Sequence, residues 1–64
     1  MNIHVQWTEE RQSGGESEVF FVAAEHTPDG WRFFERSVWE VRWYALQPDP
    51  ARIARAEALA EASA

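Results

Sequence analysis

The sequence predicts an α+β fold: a three-stranded antiparallel β-meander, four-stranded if its last strand is bent in two, followed by one C-terminal helix. Three observations predict it. Apolar and polar residues alternate with period two through much of the first 46 residues. Thr27-Pro28-Asp29-Gly30 has the residue order of a tight turn. Asp49-Pro50 then opens a run rich in alanine, leucine, glutamate and arginine. The 64 residues have room for one domain, 1–64, divided into a sheet over 1–46 and a helix over 49–63.

The first strand is expected over 2–8, where Ile3, Val5 and Trp7 point to one side and His4, Gln6 and Thr8 to the other. Residues 9–17 contain no apolar side chain and hold Gly14-Gly15 at their centre, which predicts an exposed connecting loop. Residues 18–25 are apolar at both parities, as in a central strand covered on both faces. Pro28 presets φ for the next turn, Asp29 ties its backbone, and Gly30 is free to take positive φ, which predicts a hairpin.

From Trp31 to Tyr44 the odd positions are mostly aromatic and the even ones mostly charged. Fourteen extended residues would span about 46 Å, more than a chain of this size can hold, so a bend or bulge is expected near Glu35–Ser37, or an overhang paired with another subunit. One register places Glu25 opposite Arg32. At the far end Asp49 is placed to cap a helix and Pro50 to occupy its first position. The helix has only Ile53 and Leu59 as large apolar residues, so it needs a surface to lie on.

Composition narrows the function classes. A chain this short buries only about 60% of the surface its unfolded form exposes, so its stability needs a supplement. There is no cysteine, and His4 and His26 lie far apart without metal-ligand spacing. No disulfide, metal site or cofactor is therefore expected, and dense aromatic packing or self-association remains. Hydrophobic residues make up 45% and aromatic residues 14% of the chain, well above a disordered composition. No stretch approaches the roughly 18 apolar residues of a membrane span, and Met1–Val5 has no basic, apolar leader pattern. The expectation is a soluble cytoplasmic protein that does not enter membranes. All six basic residues are arginine, and with the alanine-rich tail this points to a GC-rich bacterial genome.

Arg32, Arg36 and Arg42 among three tryptophans suggest single-stranded nucleic-acid binding. Charge opposes it: the formal net charge is −5, and Arg11 alone faces six carboxylates in the first 30 residues. The parity of Trp31–Tyr44 also sets the arginines opposite most of the tryptophans. Enzyme chemistry has less support, because neither histidine has a nucleophile or third partner nearby in sequence, and Glu9-Glu10 falls in the expected loop. Glu35, which interrupts the aromatic parity, reads as turned to solvent by a bulge or paired with Arg36 or Arg42.

The strongest functional signal is an apolar surplus. With Ile3, Val5, Trp7, Val19, Phe21, Phe33, Trp39, Val41 and Trp43 beneath the helix, Phe20, Val22, Phe34, Val38 and Tyr44 fall on the opposite face with no segment left to cover them. Each such side chain gains about 1.5–3 kcal/mol on full burial, a large fraction of a small domain's stability. The sequence thus predicts a non-enzymatic module that binds another protein, most simply as a homodimer, through Phe20, Val22, Phe34, Val38 and Tyr44 or through a strand edge.

Overall fold

The computed structural model describes residues 3–63, so Asn2, expected to open the first strand, lies outside the described residues. Four antiparallel strands run in sequence order, β1 (Ile3–Ser13), β2 (Glu16–Thr27), β3 (Gly30–Ser37) and β4 (Tyr44–Leu46), and α1 (Pro50–Ala62) follows. This is the expected α+β meander in its four-stranded form.

The first hairpin differs from expectation. Residues 9–17 are not a loop: β1 and β2 pair continuously from Ile3↔His26 to Ser13↔Glu16, and only Gly14 and Gly15 connect them. Both glycines have positive φ, 57° and 82°, as a two-residue turn matching the right-handed strand twist requires. The outer half of this hairpin is polar yet extended, because its ladder is reinforced by cross-strand contacts rather than by apolar burial. Ser17 Oγ donates to Glu10 Oε1 at 2.7 Å and accepts from Gln12 Nε2 at 3.2 Å.

The second turn forms at Thr27–Gly30 as predicted. Thr27 Oγ1 donates to Gly30 O and accepts from Asp29 N, and Gly30 has φ 116°. The register sets Glu25 opposite Arg32.

The long aromatic segment does not continue as one strand. At Ser37 the chain turns: its buried hydroxyl accepts from Trp39 N at 3.2 Å and its carbonyl accepts from Glu40 N at 3.0 Å. The chain then reverses, and Tyr44–Leu46 pair back along Glu35–Phe33. A 14-residue strand would exceed the molecule's longest dimension, 39 Å.

The two turns fix which side chains share a face. Through Val5↔Ala24↔Phe33↔Leu46 and Trp7↔Val22↔Glu35, the helix side carries Val5, Trp7, Phe20, Val22, Ala24, Trp31, Phe33 and Leu46. Trp7, Val22, Ala24 and Phe33 form the buried core with Ala56 of α1, and Ile53 and Leu59 pack around them. Trp7 meets Phe33 edge to face, with centroids 6.3 Å apart. Ala56 is completely buried because its small side chain lets α1 lie close on the sheet. Asp49 caps the helix, its Oδ1 accepting from Arg52 N at 2.9 Å, and Pro50 follows it as the sequence predicts.

The expected face assignment is therefore corrected in β2 and after Ser37. Val22, expected on the partner face, has no exposed surface and lies at the centre of the core; Phe20 shares its side. Val19 and Phe21, expected beneath the helix, belong to the other side. Trp39 and Val41, expected in the core, are 86% and 94% exposed in the β3–β4 loop, and Trp43 is also exposed. Tyr44 pairs with Glu35 and so has the helix-side parity, at the exposed sheet edge.

Candidate protein-interaction face

The face opposite α1 carries Val19, Phe21 and Ala23 from β2 and Phe34 from β3. Val38 N donates to Val19 O at 3.3 Å, extending the pairing by one residue and setting Val38 beside Val19. Among the described residues, no helix packs on this side. Of the five residues expected to meet a partner, Phe34 and Val38 lie here, while Phe20 and Val22 face α1 and Tyr44 sits at the β4 edge.

The loop returns across this face. Arg36 Nη1 donates to the Glu40 carbonyl, and the Arg36 guanidinium stacks 4.6 Å from the Phe21 ring centroid and 5.3 Å from that of Trp43. Trp43 thereby stands over the sheet and, with Phe34, Ala23, His4, Gln6 and Glu25, bounds an open cleft of about 550 Å³. His4 Nε2 lies 3.5 Å from Glu25 Oε2 at its rim.

The expectation that the arginines lie opposite most of the tryptophans holds for Trp31 but not for Trp43. Arg32, Phe34 and Arg36 share one side of β3, and Phe21 and Trp43 join them there. Arg42 sits in the loop, with its guanidinium 5.8 Å from the Tyr44 ring centroid. The face is electrically balanced: Arg32 and Arg36 are accompanied by Glu10 and Glu25 of the same parity.

Beneath the helix the charges are arranged differently. Arg52 of α1 grips Glu9 of β1 with two hydrogen bonds, Nη2 to Oε1 at 2.8 Å and Nε to Oε2 at 3.1 Å. Trp7 Nε1 donates to Glu9 Oε2 at 2.9 Å, Arg11 Nη2 donates to Glu9 Oε1 at 3.0 Å, and Arg52 Nη1 donates to Asp49 Oδ2 at 2.6 Å. Arg11 lies over the Phe20 ring and reaches Glu35, with 2.6 Å between Nη1 and the buried Oε1. That contact is an ion pair without a directed N–H hydrogen bond. The sequence Asp49–Arg52–Glu9–Arg11–Glu35 thus alternates in sign from helix to β3. It gives Glu35 a partner, Arg11, that the sequence did not suggest, because only the hairpin brings the two together.

The Arg52 guanidinium pulls the Glu9 carboxyl from 4.5 down to about 2; Trp7 and Arg11 act in the same direction, against partial burial. This network fastens α1 to β1, and each of its charged groups is already engaged. Among the described residues no three His, Asp or Glu side chains are grouped to hold a metal ion, and no helix is long and apolar enough to cross a membrane. Comparison with protein-family models, curated proteins and solved structures finds no match to this chain.

Proposed function

We propose that this chain is a small non-enzymatic interaction module of the cytoplasm that self-associates through its helix-free sheet face. One observation carries the reading: among the described residues no helix covers this face, where Val19, Val38 and Trp43 are exposed beside the half-buried Phe21 and Phe34, and the exposed Trp39 and Val41 of the adjoining loop continue it. Apolar surface of this extent left in water is costly to a domain of marginal stability, and a protein partner is the economical cover. The Phe34→Glu variant tests it. Light scattering should show wild-type dimers at micromolar concentration and Phe34→Glu monomers with an unchanged circular dichroism spectrum. A wild-type chain that stays monomeric at high micromolar concentration refutes the reading.

A second reading, single-stranded nucleic-acid binding, gains support from Arg32 and Arg36 sharing a face with Phe21, Phe34 and Trp43. The chain's net charge of −5 and the acids balancing that face weigh against it. Tryptophan fluorescence titrated with mixed oligonucleotides separates the two. Nucleic-acid binding requires a change that weakens steeply with salt, whereas a protein-binding face gives none.

A further inference from the structure

Independently of the helix-free face, we propose that the free edge of β1 takes up an extended segment of another protein as an added strand, with an acidic side chain of that segment set against Arg55 of α1.

Main-chain chemistry names the kind of occupant. β1 is an outermost strand of the sheet. Val19 O accepts from Val38 N, so the odd residues of β2 bond to β3 and its even residues bond to β1. Those even residues pair with odd residues of β1, which turns the N–H and C=O groups of His4, Gln6, Thr8, Glu10 and Gln12 outward. Among the described residues, none of these outward groups has a protein partner. A row of open donors and acceptors at strand spacing is complementary to another extended backbone.

Sheet edges are ordinarily blunted by shortness, proline, bulges or charge. The opposite edge is blunted: β4 has three residues and Pro48 follows close behind it. β1 instead pairs without a bulge over 11 residues and contains neither proline nor lysine. Its Glu9, Glu10 and Arg11 lie in the outer half, which leaves residues 3–8 open to pairing.

A groove beside this edge adds the side-chain chemistry. Residues 7–10 of β1 and the start of α1, at Asp49, Ala51, Arg52 and Arg55, border an open space of about 610 Å³. A strand added to β1 runs along it, and its side chains on the helix side meet α1. Asp49, Arg52 and Glu9 are already joined by hydrogen bonds of 2.6 to 3.1 Å. Arg55 has its guanidinium 5.9 Å from the Trp7 ring centroid and, among the described residues, forms no ion pair. It is the cation of the groove left open to an incoming carboxylate. A second copy suits this edge less well, because two β1 strands paired antiparallel around Trp7 bring the Arg55 side chains of both helices together.

Amide NMR of the full chain tests this, by titration with a short N-acetylated, C-amidated peptide of alternating threonine and valine in which glutamate replaces the central valine. The expected result is a set of shifts centred on His4, Gln6, Thr8 and Glu10. Thr8→Pro removes an outward N–H and no bond to β2, so it should keep the circular dichroism spectrum and weaken binding about 10-fold or more. Arg55→Glu should reverse the preference for this peptide over its lysine counterpart. Absent shifts, or shifts centred on Phe34 and Trp43, overturn the edge assignment whether or not Thr8→Pro folds. Equal binding of the glutamate and lysine peptides overturns the acidic partner. A wild-type dimer that Thr8→Pro dissociates gives the edge to a second copy and overturns the foreign strand. Phe34→Glu should bind the peptide as wild type does, which separates this outcome from the fate of the self-association reading.

Discussion

Glu9→Gln is the most informative single perturbation of the fold, because Glu9 joins β1 to α1 through Arg52, and to β3 through Arg11 and Glu35. Glutamine keeps the size but loses the charge and one of the two acceptor oxygens that Arg52 uses. A carboxyl moved from 4.5 to about 2 corresponds to about 3 kcal/mol at about 1.4 kcal/mol per unit. The Glu9 side chain is 22% exposed, and solvent screening of its pairs lowers the realised loss to about 1–2 kcal/mol. For a domain of this size that equals a fall in Tm of about 5–15 °C. Because the folded-state pKa is depressed, this stabilisation is complete above pH 4.5 and is lost as pH falls toward about 2. Urea unfolding followed by tryptophan fluorescence, at fixed protein concentration and at pH 7 and pH 2.5, measures both effects. Wild type should lose more stability than Glu9→Gln between the two pH values, by about the deficit the variant shows at pH 7. Equal midpoints at pH 7 with parallel acid dependence would refute the assignment of Glu9 as the electrostatic link between sheet and helix.

Two further substitutions probe the sheet. Val22→Ala should cost about 2 kcal/mol in urea unfolding, since Val22 has no exposed surface and its truncation leaves a gap between Trp7, Phe33 and Ala56; a change under about 0.5 kcal/mol would place Val22 outside the core. Gly14→Ala should cost about 1 kcal/mol although an added methyl meets nothing within 4 Å, because φ 57° is disfavoured for residues with a β-carbon; an unchanged midpoint would show that the turn has another geometry.

Much of the fold is legible in the residues, and the places where it is not have identifiable causes. The Thr27–Gly30 turn and the Asp49–Pro50 helix start are local events, written in proline, aspartate and glycine chemistry that acts over four residues. The residues left uncovered are legible only in part: of the five that the sequence names, Phe34 and Val38 lie on the helix-free face. The face assignment in β2 is not legible, since Val19–Ala24 are apolar at both parities and alternation cannot choose between them. A signal was present: reading Gly14-Gly15 as a two-residue turn sets Trp7 against Val22 and Val5 against Ala24. The polar character of residues 9–17 concealed it, because those strands are held by the ladder and by charge pairs from distant segments.

The sequence by itself determined the order of the elements, the Thr27–Gly30 turn and the helix cap. Only the tertiary structure decided that Val22 lies inside and Phe21 outside, that Trp39 and Val41 leave the core, and that Arg32 and Arg36 join the aromatics on the open face. The physical reason is that turns and caps depend on neighbouring backbone, whereas the side of a sheet a residue occupies depends on register. Register is set jointly by the turns at Gly14–Gly15 and Thr27–Gly30 and by the reversal at Ser37.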